Sequence, residues 1–251
     1  MRFLRRIFGG KRGRSLPAPV YSNETTIQLD EVTITLPSRE EMDRRLKMQF
    51  AAWQAELARL GGVAPKSITR GDLAAVLRAR GWQRVIRDGA TVFLRDDVRG
   101  RARIIPMLKT VSPTSTTAPD QRLELVCALW PQDYWAVITQ IAGYDFPPPL
   151  VEMVRVDRRG FYLTRVDLDS AVCEAEAKLA AADIGLHLEQ AAGWLPSRPG
   201  ASGLVHLAAL VLLGDTKRLE FYAADAKSAG FAPFIAPEMI SRAAGLAADR
   251  A

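Results

Sequence analysis

WQRVIRDGATVFLR, residues 82–95, is the stretch that decides the fold class. Trp82–Arg87 and Ala90–Arg95 each alternate between apolar and polar side chains, the two-residue period of a strand with one buried face. Between them Asp88-Gly89 is the pair that most readily supplies the positive φ angles of a tight hairpin. Upstream, Thr69 followed by Asp72 is a helix start, and that helix closes at Gly81. Downstream, Arg101–Thr110 and Arg122–Trp130 extend the hairpin into a meander, joined by the polar loop VSPTSTTAPD. The pattern predicts antiparallel strands packed with helices, an α+β fold.

The rest of the chain fills in that frame. Asp133–Ala142 reads as a short helix and Phe146-Pro147-Pro148-Pro149 as a stiff connector. Val151–Val156 and Phe161–Val166 read as a second hairpin turning at Asp157–Gly160. Asp169 or Ser170 is expected to cap a long helix reaching Ala192. Ser197–Gly203 marks an internal boundary. Beyond it Leu204–Leu213 is apolar nearly all round, as in a helix enclosed by others. Thr216–Ala229 forms the next helix, and Pro237 opens a third, where its missing N–H costs nothing. The expected organisation is a tail and linker over 1–23, an α+β body over 24–196, and a C-terminal helical cap of three helices over 204–251.

Ahead of the Thr69 helix, Thr25–Leu36 alternates as one strand with an irregularity at Asp30 and Glu31. Ser38 and Glu41 have capping-box spacing at the head of a helix that ends at Gly61-Gly62. Along it Leu46, Phe50, Trp53, Leu57 and Leu60 recur at spacings of 4, 3, 4 and 3. Such a stripe either packs on the protein's own sheet, the commoner outcome, or forms a two-heptad dimer seam. Leu46, Phe50, Trp53 and Leu57 are therefore the candidate partner-binding residues.

The formal charge of +6 belongs to one end of the chain. Residues 1–14, MRFLRRIFGGKRGR, hold six of the 34 Lys and Arg residues and none of the acids, which leaves 28 basic residues facing 28 acidic ones. A basic field over the body, the usual sign of nucleic-acid binding, is absent. Wound as a helix, the tail places Phe3, Leu4, Ile7 and Phe8 opposite Arg2, Arg5 and Arg6. Arg2, Phe3, Arg5, Arg6 and Phe8 thus become candidates for contact with an anionic membrane surface or an acidic partner. The competing readings are a solvated terminus and salt-sensitive, sequence-blind nucleic-acid contact. No apolar run reaches the roughly 18 residues of a membrane span. Cys127 and Cys173 lack metal-like spacing, which fits a reducing, cytoplasmic setting with peripheral placement at the inner membrane face as the tail's contribution.

Catalytic constellations are missing from the sequence. His187 and His206 have no partners at zinc spacing, and no phosphate loop, dinucleotide fingerprint or nucleophile elbow occurs. No cofactor is expected. Asp96-Asp97 and Asp167 with Asp169 are the acidic pairs through which an enzyme reading with a divalent metal would work. Their plainer roles are a hairpin turn and a helix cap. Trp82, Arg84, Arg87, Phe93 and Arg95 interleave aromatics with cations, a pattern that either stacks on nucleic acid or forms a solvated outer face.

From Thr69 to Trp194 the expected order is helix, meander, helix, hairpin, helix. With its closing stretch GFYLTRVDLDSAVCEAEAKLAAADIGLHLEQAAGW, that order resembles the small α+β domains of type III secretion chaperones and the related YbjN-like proteins. The resemblance implies a non-catalytic domain that dimerises or holds a polypeptide client through apolar grooves and strand edges. Taken together, the sequence leads to an interaction protein that binds a polypeptide or a second copy of itself.

Overall fold

In the computed structural model the described residues are 25–29, 32–36, 38–87, 89–114, 118–145, 147–198, 200–226 and 228–250. The chain divides into two compact units, residues 1–63 with 114–118, and residues 64–113 with 119–251.

In the first unit, β1 (Thr25–Leu29) and β2 (Val32–Leu36) form an antiparallel pair with Ile27 opposite Ile34 and Leu29 opposite Val32. The single irregular strand expected over 25–36 is therefore a hairpin, its alternation interrupted because the chain reverses there. Helix α1 (Arg39–Arg59) starts where the Ser38 hydroxyl accepts the Glu41 amide at 3.2 Å. The reciprocal half of the expected capping box is replaced: Glu41 turns forward onto Arg44 and Arg45. No residue of α1 is buried.

The second unit is built on a five-stranded antiparallel meander, β3 (Gln83–Arg87), β4 (Ala90–Asp97), β5 (Gly100–Val111), β6 (Asp120–Pro131) and β7 (Val151–Gly160), in that spatial order. Helix α2 (Arg70–Ala79) precedes it, fixed by a capping box in which Asp72 takes the Thr69 amide at 2.8 Å and the Thr69 hydroxyl takes the Asp72 amide at 3.2 Å. Gly89 has φ 79°, as the Asp-Gly signal requires. At the β4–β5 turn Gly100 has φ 127°, and a Cβ there would sit 2.1 Å from the Trp130 carbonyl oxygen, so only glycine fits.

Helix α3 (Gln132–Ala142) follows β6, and α4 (Arg165–Ala181) follows β7. The second hairpin expected over 151–166 is corrected to the single strand β7. Asp157–Gly160 look like a turn by composition, yet they stay in the ladder, with Glu124 opposite Asp157 and Gln121 opposite Gly160. The cap of α4 is likewise Thr164 with Asp167 rather than Asp169 or Ser170, because Thr164 and Asp167 satisfy each other's amides one turn earlier. The long helix expected to reach Ala192 is interrupted at Asp183, which caps α5 (Ile184–Ala192).

Helices α6 (Ser202–Leu213), α7 (Thr216–Ala224) and α8 (Pro237–Ala248) complete the C-terminal cap. Two cores result, one on each face of the sheet. Leu73, Val76, Leu77, Trp82, Phe93, Ile104, Leu123, Leu125, Leu168 and Val172 join α2 and α4 to one face. Ala128, Trp130, Tyr134, Ile138, Ile141, Leu204, Leu207, Leu210 and Leu219 join the last turn of β6 to α3 and the C-terminal helices.

Candidate interaction surfaces

The strand registers determine which side chains lie on the face opposite α2 and α4. Because Cα partners share a face, the pairs Gln83 with Leu94, Val85 with Val92, Leu94 with Arg103, Ile105 with Val126, Met107 with Glu124 and Val126 with Arg155 all belong to that second face. Near β6's end it meets α3 through Ala128 and Trp130. Further along, Val92 is buried, Leu94, Ile105 and Val126 are half-buried, and Val85 and Met107 are exposed. An apolar band therefore crosses the sheet without joining either core.

Charge borders the band. Four of its acids are matched: Asp96 with Arg101 at 2.8 Å, Asp120 with Arg159 at 3.0 Å, Asp157 with Arg122 at 3.2 Å, and Glu124 with Arg155 at 3.7 Å. Arg103 is different. Its guanidinium lies 5.2 Å from the centre of the Trp130 ring, and its Nε is buried with no hydrogen-bond partner among the described residues. Desolvation holds its pKa below the ordinary arginine value. Glu152 opposes that and the nearby Arg87 adds to it. A buried N–H without a partner costs about 1–3 kcal/mol, so the fold keeps this cation at a loss.

The opposite face shows what a satisfied cation looks like. Arg95 stands 4.6 Å over the Trp82 ring and donates to Glu176 at 2.6 Å. Glu176 also receives Arg80 at 2.6 Å and the Trp82 indole N–H at 2.9 Å. Trp82 and Phe93 are buried at 1% exposure. Trp82, Phe93 and Arg95 are thus core and ion-pair elements, whereas Arg84 is exposed.

The acidic pairs are occupied structurally. Asp96 is held bidentately by Arg101, and Asp97 accepts the Arg99 amide at 2.8 Å in the turn. Asp167 caps α4, and Asp169 faces Arg165 at 3.9 Å. No group of three metal-ligating side chains converges among the described residues. His206 is fully buried, with Nδ1 3.0 Å from the Ala191 carbonyl and Nε2 3.3 Å from the Tyr222 hydroxyl. Cys127 is buried, and desolvation pushes its thiol up to about 12, far from a nucleophile's range. An open depression of about 430 Å³ between Ala192, Leu210, Leu213 and the start of α7 has its guanidinium, Arg218, already bonded to the Ala192 carbonyl and Asp215.

Of the partner-binding residues read from sequence, Leu46 is exposed and Phe50, Trp53 and Leu57 are half-buried. Phe50 and Trp53 meet edge to face, ring centres 5.3 Å apart. Arg2, Phe3, Arg5, Arg6 and Phe8 lie outside the described residues. No helix among the described residues is long and apolar enough to cross a membrane.

A family model matches residues 69–248, from the cap of α2 to the last residue of α8. The chain belongs to DUF6990, a family of unknown function. No curated protein and no solved structure matches it. The matched stretch holds the entire meander and, apart from Ile68, both cores, so this sheet face lies within the DUF6990 part of the chain, and α1 lies before it. Sequence reasoning passed over Arg103. The available signal was GRARIIPMLKT, in which one parity of β5 runs Arg101, Arg103, Ile105, Met107, Lys109, too apolar for a solvated face and too charged for a core.

Proposed function

We propose that the protein is a non-catalytic interaction protein, chaperone- or adaptor-like, that holds an acidic amphipathic helix of a polypeptide partner on the open face of its sheet. Arg103 carries this reading. Its unpartnered Nε sits beside an apolar band and near a second cation, Arg87. A carboxylate delivered there would satisfy the N–H and the charge together, the kind of charge-assisted bond worth about 1.5–3 kcal/mol. The band formed by Val85, Leu94, Ile105, Met107 and Val126 supplies the apolar floor for the same helix. The basic segment 1–14 adds attraction to an anionic membrane surface or to the same acidic partner.

The test is fluorescence anisotropy with labelled leucine/glutamate and leucine/lysine helices of about 18 residues, five turns each. The acidic helix should bind the full chain in a salt-dependent manner, and Arg103→Met should weaken it about 10-fold or more. Equal binding of both peptides, or acidic-peptide binding untouched by Arg103→Met, would sink the proposal.

A further inference from the structure

The five-stranded sheet ends in β3 on one side and β7 on the other, and the two edges differ. At β7 the carbonyls of Arg155 and Asp157, two residues apart and so directed the same way, are taken by side chains. Lys178 of α4 donates to the first at 3.0 Å and Arg158 to the second at 3.0 Å. A register shift between Cys127 and Leu129 also breaks the regular ladder there. Such devices close a sheet edge to further strands.

Neither device occurs at β3 among the described residues. Its closing pair, Arg87 with Ala90, flanks a two-residue turn, so their backbone groups bond to each other across the hairpin. Alternation then points the backbone groups of Val85 and Gln83 towards β4 as well, and those of Arg84 and Ile86 away from the sheet. Gln83, Arg84, Val85 and Ile86 are exposed, Ile86 at 69%. The outward N–H and C=O of Arg84 and Ile86 therefore form an unfilled ladder.

Charge selects what can fill it. The strand reads QRVIR, with two cations and no acid, and Arg84 makes no ion pair among the described residues. In an added ladder the residue opposite Arg84 stands beside its guanidinium, and the residue opposite Ile86 stands beside an apolar side chain on the same face. A basic strand is repelled at the first position and an acidic one is attracted.

We propose that β3 takes up an extended acidic segment of a polypeptide partner as an added strand, with a carboxylate opposite Arg84 and an apolar residue opposite Ile86. Backbone bonds at Arg84 and Ile86 hold the segment, and the Arg84 charge sets which segments are accepted. The edge is distinct from the sheet face at Arg103, and neither reading rests on the other.

The experiment uses the isotopically labelled full chain and a peptide of about eight residues alternating glutamate and valine, with a lysine/valine peptide as control. Amide exchange followed by NMR separates edge pairing from other binding, because the Val85 amide is already in the β3–β4 ladder and those of Arg84 and Ile86 are not. The glutamate peptide should slow exchange at Arg84 and Ile86 at least ~10-fold and leave Val85 unchanged. Arg84→Glu should transfer the preference to the lysine peptide. Ile86→Pro removes an outward N–H without breaking the β3–β4 ladder and should weaken glutamate-peptide binding at least ~10-fold. Three results would overturn the proposal: no binding up to about 1 mM, binding that leaves the Arg84 and Ile86 amides exchanging as before, or equal affinity for both peptides. Binding lost in Arg103→Met would place the peptide on the sheet face, overturning the edge assignment while leaving the acidic-helix reading in place.

Discussion

Arg103 and Arg101 lie two residues apart on one face of β5, yet replacing them by methionine should change stability in opposite directions. Methionine keeps an unbranched stem against the neighbouring indole and removes the charge. At position 103 the loss is the cation–π contact with Trp130, about 1 kcal/mol for a half-exposed site. The gain is relief of the unpartnered buried N–H, about 2 kcal/mol at the centre of its range. Arg103→Met should therefore stabilise the chain by about 1 kcal/mol, or 2–4 °C in melting temperature for a unit of this size. Arg101 donates twice to Asp96, at 2.8 and 3.0 Å, and lies 4.5 Å over Trp135. Arg101→Met should destabilise by about 1 kcal/mol, since a bidentate pair and a ring contact go and no buried defect is removed. Urea unfolding of both variants at pH 7 measures the two signs. A loss of 1 kcal/mol or more for Arg103→Met would show that its charge is structural, and the reasoning that assigns it to a ligand would fail.

Two further outcomes concern groups on the covered side of the sheet and in the helical cap. Burial alone would raise the Glu176 carboxyl, but hydrogen bonds from Arg80 and Trp82 and the charges of Arg95 and Arg80 outweigh it and hold the pKa below the usual carboxylate range. Its contribution is complete above about pH 4.3, the unfolded value, and disappears as the pH falls through the lower native one. Glu176→Gln should cost about 2 kcal/mol at pH 7, after allowance for partly exposed guanidiniums, with the deficit closing below pH 4; an equal deficit at pH 3 and pH 7 would refute the linkage. For His206, burial depresses the pKa against the Ala191 carbonyl bond, with Arg218 adding to the depression and Asp215 opposing it. The neutral ring donates from Nδ1 and accepts the Tyr222 hydroxyl proton at Nε2. Stability should be full above about pH 6.5 and fall below it, as the unfolded chain takes up a proton that the buried ring refuses. Urea midpoints at pH 7.5 and 5.5 test this, and equal midpoints would contradict a neutral buried imidazole. Tyr222→Phe should lower the unfolding free energy at both pH values by about 1 kcal/mol.

The elements legible in the sequence were those whose signal is local. Asp88-Gly89 between two alternating segments needs nothing distant to make a hairpin, and β3 and β4 pair as their spacing demands. Thr69 with Asp72 is equally self-contained. The misreadings came where a local signal competed with a distant one. Asp157-Arg158-Arg159-Gly160 has turn composition, but β6 is twelve residues long and offers ladder partners all the way to Gln121. Strand pairing overrides such a preference because it satisfies backbone groups that a turn would leave open.

The same distinction explains why α1's stripe was visible and Arg103 was not. Leu46, Phe50, Trp53 and Leu57 are related by helical spacing alone, so their common face follows from the sequence once the helix is granted. The fate of an arginine on a strand depends on what other strands and helices bring to it. Arg95 and Arg103 sit on neighbouring strands, each above an indole. Strand parity turns Arg95 towards α4, where Glu176 receives it, and turns Arg103 to the face that α4 does not cover. Nothing within a few residues of either arginine distinguishes the two. The acid that decides is 81 residues from Arg95. A buried guanidinium N–H that no such acid receives is therefore information that only the assembled sheet contains, and it is the reason the functional proposal rests on Arg103 rather than on the more numerous arginines already paired.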